Sequence, residues 1–306
     1  MTFKAFFIRS IVLTLSIVVL VVSFNVCMNE YGLFGDVSGK SIKIYGNERT
    51  SKYLLSFNYI PANFDGLLLG SSVSDNIDSK EFVGCRFYNA SINGTTVAEL
   101  KILVDNVLAK GDLKCVILSL YPILTESDEK RTTRMVPREY WGSLGSINTL
   151  DFYRRKILIN MGKMYDYFDE YGRYDYNLRK AGRDSKRLIQ KEAERMSPNE
   201  PIGINDRAYA DLDSLLKAIR ASGIKIFAYY HPIPQEYFVM YEQSYRTYQE
   251  KLNALFETPD VVWDYNTADF LDFRRDHTNY CDHVHLSRKG IEFITRDINR
   301  KLASQL

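Results

Sequence analysis

The apolar positions of this chain change rhythm twice. No charged residue stands between Arg9 and Glu30, and residues 10–29 are mostly apolar and rich in Val, Ile and Leu. Twenty residues in a helix reach about 30 Å, enough to cross a bilayer. Residues 31–52 are polar and Gly-containing, and read as a short stalk or irregular lead-in. Beyond them, short apolar runs alternate with stretches of helical period. The runs at 65–69, 85–89, 114–120, 225–230 and 261–264 predict five strands, several of them stopped by Gly70, Pro122 or Pro232. Helices are predicted over 96–110, 206–221, 235–256 and 290–302, with Thr95 or Thr96 and Asn205 as caps and Gly111 and Gly223 as stops. Tyr241, Tyr245 and Tyr248 recur at helical spacing and read as core. Strand–helix alternation of this kind predicts a three-layer α/β/α domain on a parallel five-stranded sheet.

Charge then marks what the alternation leaves out. Residues 130–195 carry 16 Lys or Arg against 9 Asp or Glu, although the whole chain has a formal net charge of only +2. Crossovers in α/β domains are short, so about 125–204 reads as a basic, mostly helical insertion between the third and fourth strands. It is either a solvated face or a basic rim toward an anionic glycan, lipid headgroups or a membrane partner. A net charge so near zero speaks against nucleic acid as the main partner. Lys4 and Arg9 precede the apolar run while Glu30 and Asp36 follow it, which leaves the N-terminus in the cytoplasm and the domain outside. A cleavable signal peptide is the rival reading. Residues 23–27 offer no small-x-small cleavage pattern, so an uncleaved signal anchor over residues 1–30 is expected. Cys85, Cys115 and Cys281 then lie outside, an odd number that leaves at least one free or paired between chains.

In open parallel sheets the loops at the C-terminal strand ends form the binding crevice. Those loops hold Gly70-Ser71-Ser72-Val73, Asn89-Ala90-Ser91-Ile92-Asn93-Gly94-Thr95, Tyr121-Pro122, Tyr230-His231 and, further on, Asp282-His283-Val284-His285. Hydroxyls, glycine turns, a carboxylate and imidazoles at one edge are the inventory of serine-nucleophile acyl chemistry. His277, His283, His285, Asp276 and Asp282 also have spacings a metal could use, but a metal would compete for the base that the serine needs. No cofactor and no metal is expected.

Three of these segments, in this order, resemble the blocks of the SGNH, or GDSL, hydrolase superfamily. Gly70-Ser71-Ser72-Val73 is similar to its first block with Ser in place of the usual Asp, residues 89–95 to its second, and Asp282-x-x-His285 to its last. The resemblance implies a flavodoxin-like SGNH domain over residues 53–306, with Ser72 as nucleophile, His285 as base and Asp282 as its orienting carboxylate. It also implies that the backbone N–H groups of Ser72 and Gly94 form the oxyanion hole. Asn93, Tyr121 and His231 are further candidates for substrate contact. The family's third block normally supplies an Asn as another oxyanion donor, whereas residues 118–122 read Leu-Ser-Leu-Tyr-Pro. Membrane-anchored branches that handle acyl groups on surface polymers, among them alginate-acetylation and teichoic-acid D-alanylation proteins, also tend to lack that block. The expectation is an O-acyltransferase for a surface polysaccharide, with a multi-pass membrane acyltransferase as a candidate partner. Its alternatives are an esterase with the same triad and an inactive accessory protein.

Overall fold

Five strands, β1 (Gly66–Leu69), β2 (Phe87–Asn89), β3 (Cys115–Leu120), β4 (Lys225–Tyr230) and β5 (Val261–Asp264), pair in parallel in the order β2-β1-β3-β4-β5. That order is the flavodoxin-like one, and its switch point lies between β1 and β3. β1, β2 and β3 are buried throughout, which is why they read as continuous apolar runs and not as alternating ones. This computed structural model describes residues 2–126 and 134–305. Of the expected insertion, residues 127–133 lie outside the described residues, Lys130 and Arg131 among them.

Helices enter in chain order as α1 (Phe3–Met28), α2 (Glu48–Leu55), α3 (Tyr59–Asn63), α4 (Ser72–Asp75) and α5 (Val97–Leu108). Between β3 and β4 follow α6 (Pro137–Gly142), α7 (Ile147–Asn160), α8 (Tyr176–Arg179), α9 (Ser185–Ala193) and α10 (Asp206–Ala221). The last four are α11 (Gln235–Phe238), α12 (Glu242–Asn253), α13 (Leu271–Arg275) and α14 (Arg288–Leu302). Right-handed crossovers put α5, α10 and α12 on one face of the sheet. Arg220 of α10 donates to the Leu255 carbonyl just past α12, at 2.7 Å, and ties two of them together. On the other face α14 lays Lys301 over the Trp263 ring and accepts the Tyr265 hydroxyl on Asp297 at 2.9 Å. The result is an α/β domain that fits three layers.

Capping explains the sharp helix starts. Thr96 and Glu99 form a reciprocal capping box at α5, and the Asn205 side chain accepts from the N–H groups of Arg207 and Ala208 at α10. One helix departs from expectation. Residues 235–256 form two helices, because Tyr241 leaves the helical region at φ −136° and starts α12 afresh. The turn lets Tyr237 and Phe238 as well as Tyr245 and Tyr248 face inward, and all four are buried. The expected stalk differs too. Residues 31–47 are irregular, as a lead-in would be, but Tyr31, Val37 and Ile44 are buried in the core and residues 48–55 form α2.

Candidate active site

β1 delivers the chain to Gly70, where a side chain would collide with Ser74 Oγ and with Ser119 Cβ at 2.8 Å. Only glycine lets α4 start this close to the end of β3. Ser72 is then the first residue of α4, half-buried, with Ser71 as the cap. Asn89 at the end of β2 fixes this turn from outside: its Nδ2 donates to the carbonyls of Ser74, Asp75 and Ile77 at 2.9–3.1 Å. Its Oδ1 accepts the Ser91 N–H at 3.1 Å, and Ser91 Oγ takes a 2.9 Å bond from Ser74 Oγ. The serine turn and the Gly94 loop are thus one hydrogen-bonded unit.

A buried charge cluster lies beneath that unit. Lys52 is wholly buried, and its Nζ meets Asp75 at 2.8 Å, Glu48 at 3.0 Å and the Ser91 carbonyl. Burial and then the Glu48 charge push the Asp75 carboxyl well above the usual carboxylate range, against the pull of Lys52. On the outer side Arg49 donates to the carbonyls of Asn93 at 3.2 Å and Gly94 at 2.8 Å while pairing with Glu99 at 2.7 Å. Gly94 itself sits at φ +60°, in the left-handed region.

The Asp282–His285 pair closes its own turn. Asp282 Oδ1 accepts the N–H groups of Val284 at 3.0 Å and His285 at 2.8 Å, closing a turn that swings the imidazole back onto the carboxylate. His285 Nδ1 lies 3.0 and 2.9 Å from the two carboxylate oxygens. A carboxylate only accepts, so the proton is on Nδ1 and the lone pair on Nε2, as a general base requires. Lys180 adds a fourth donor to Asp282 at 2.7 Å. Burial raises the Asp282 carboxyl, but the bond and charge of His285, Lys180 and the Val284 N–H outweigh it and hold the group well below the usual range. The Tyr176 ring stacks on the imidazole, centroids 4.2 Å apart at 17°.

The two halves meet where Asn76, at the end of α4, donates to the Leu286 carbonyl at 2.7 Å. His285 Nε2 is buried and takes no hydrogen bond among the described residues, so the Ser72 hydroxyl is not yet bonded to it. Bonds of this kind often tighten only with substrate bound.

His231, a candidate for substrate contact, is fully buried, and its Nε2 donates to the Val284 carbonyl at 3.0 Å, so it braces the His285 turn. Burial, with the nearby His285 charge and despite that bond, lowers its pKa to about 3. Tyr121, just past β3, is half-buried and packs edge-on against His231, centroids 5.9 Å apart. Asn93 alone of the three lines the cleft beside the site. That cleft, about 470 Å³, is lined by Tyr165, Tyr167, Tyr176, Arg155 and Arg179 but by neither Ser72 nor His285. Sequence reasoning missed Lys52, Arg49, Lys180 and Tyr176. A lysine on the inward face of an amphipathic helix, four residues after Glu48, was a legible signal for the first. The others come from tertiary contacts.

No family model matches the chain, and no curated protein matches it. Among solved structures, one from Streptococcus pneumonia, provisionally described as a platelet activating factor, is similar over 83% of this chain and 91% of its own. It shares 12% sequence identity with this chain at a TM-score of 0.44.

Proposed function

We propose that this chain is an SGNH-type, membrane-anchored acyltransferase that works through a Ser72 ester and delivers the acyl group to a hydroxyl of a surface polysaccharide. The observation that carries the reading is the buried Asp282–His285 hydrogen bond, with Nε2 unspent, joined through Asn76 to the turn of Ser72. His285 takes the Ser72 proton as Oγ attacks the donor carbonyl, and the N–H groups of Ser72 and Gly94 receive the oxyanion. Collapse breaks the bond to the leaving group, which takes the proton from the imidazolium. An acceptor hydroxyl then gives its proton to His285 and attacks the ester, and Ser72 recovers its proton. Asp282 stays ionised throughout and stabilises the imidazolium. With water as acceptor the same steps make an esterase. The long helix α1, whose most apolar 18-residue window has a mean hydropathy of 2.6 and is almost wholly exposed, serves as the uncleaved anchor, with the domain outside the cytoplasm.

A second reading has an observation of its own: the serine and His285 are unbonded, and the end of β3 offers Tyr121 where an Asn donor would stand, which suits an accessory protein without turnover. A fluorophosphonate probe on the full chain separates the two. A single adduct lost in both Ser72→Ala and His285→Ala supports the enzyme, and the absence of an adduct on the folded chain supports the accessory. Acetyl-ester turnover with and without a glycan acceptor then divides transfer from hydrolysis.

A further inference from the structure

The insertion carries an uncharged tip. From Tyr140 to Leu150 there is no charged residue, and Trp141, Ile147 and Leu150 are 68%, 75% and 64% exposed. This tip does not face open solvent on all sides, because it packs on α1. Asn25, the buried residue of that helix, donates to the Leu144 carbonyl at 3.1 Å and accepts the Tyr153 hydroxyl at 3.0 Å. The Phe24 and Tyr153 rings lie 5.5 Å apart, and a side chain at Gly145 would come within 2.9 Å of Val21. Just above, Lys156 pairs with Glu30 at 2.6 Å. Leu20, Phe24, Ile147 and Leu150 wall an apolar groove of about 550 Å³ between the two helices.

Depth follows from the length of α1. Its charge-free part ends at Met28, and about twenty residues are needed to span the hydrocarbon. Val21 therefore lies roughly 10 Å below the outer boundary. Were the tip kept in water, only about half of that span would remain for the bilayer.

From this geometry, and resting on the reading of α1 as an anchor, we propose that α6 and the start of α7 are seated in the outer leaflet, with lipid acyl chains filling the groove. Trp141 sits at the interface, and Arg138, Arg154 and Lys156 flank the tip at headgroup level. The domain is then fixed against the membrane and not swung on a stalk. Since Asp151 and Arg155 of α7 also line the cleft that leads to Tyr176, the cleft opens along the bilayer surface, where a membrane-borne acyl donor would arrive.

The test uses the full chain with Trp263→Phe, so that Trp141 is the sole tryptophan, in phosphatidylcholine–phosphatidylglycerol vesicles with or without bromine on the acyl chains. The proposal expects blue-shifted Trp141 emission that brominated lipid quenches at least twofold. Unquenched, red-shifted emission overturns it. A companion chain, Leu20→Trp with Trp141→Phe and Trp263→Phe, reports on α1. Quenching there without quenching at Trp141 leaves the anchor standing and sinks the seating, whereas no quenching at either site sinks both. Should Trp263→Phe fail to fold, the difference between the native chain and Trp141→Phe gives the same readout.

Discussion

Asp282 and His285 stand three residues apart and orient each other within one turn, whereas the Ser72 turn is held from outside by Asn89, by Lys52 and by the glycine at position 70. The first arrangement is local, so its geometry follows from a short stretch of sequence. The second is assembled from α2, β1 and β2, and its precision depends on a wholly buried cation shared by two carboxylates and a carbonyl. Acyl chemistry needs both, since a base without a positioned serine has nothing to deprotonate. The base half should therefore fail through chemistry and the serine half through stability.

The largest expected effect is on the base half. Asp282→Asn cannot hold the proton on Nδ1 and should lower kcat by about 10⁴ while the fold persists, measured as ester turnover with circular dichroism beside it. Next comes the serine half. Lys52→Met leaves Asp75 and Glu48 without their cation and should cost about 3–5 kcal/mol in urea unfolding of the detergent-solubilised chain. Adding Asp75→Asn should recover part of that loss, and no recovery would mean that the cluster does not bear on stability as a unit.

An acid titration sharpens the comparison. His231 is neutral in the fold, with a pKa of about 3 against about 6.5 in an unfolded chain. Between those values the unfolded state holds one more proton, so this residue's contribution is fully present above about pH 6.5. It is lost at about 1.4 kcal/mol per unit as pH falls toward 3. His231→Asn should flatten that slope by one proton, read from unfolding midpoints across the range. The smallest effect is at Lys180. Lys180→Met removes one of four donors to Asp282 and should lower kcat about tenfold. The check is ester turnover with circular dichroism beside it, and an unchanged kcat would leave Lys180 a merely structural residue.

Much of this was legible in the residue pattern, for a physical reason. Buried parallel strands are short apolar runs with glycine or proline stops, and all five emerge near their expected places. The Asp282-x-x-His285 spacing encodes its own hydrogen bond. What escaped the sequence depends on contacts between distant segments. Nothing near Lys180 says that it reaches Asp282, and Tyr176 carries no mark of stacking on His285. His231 stands at a strand end beside a proline, where loops expose substrate contacts, yet the turn of Val284 closes over it. Cysteine arithmetic left at least one of three thiols free or paired between chains without saying which; in the structure all three are free, with the Cys85 and Cys115 thiols in contact at 2.7 Å and Cys281 beside Asp282. The split of the helix at 235–256 was hidden because neither Gly nor Pro marks it.

The central claim is that the Asp282–His285 pair activates Ser72, and trapping the ester tests it most directly. The full chain would be mixed with an activated acetyl ester, quenched in acid and examined by intact mass and peptide mapping. The account predicts one acetyl group on Ser72, absent from Ser72→Ala and formed far more slowly in Asp282→Asn. Equal acetylation of the native chain and Ser72→Ala, or none in either, would contradict it.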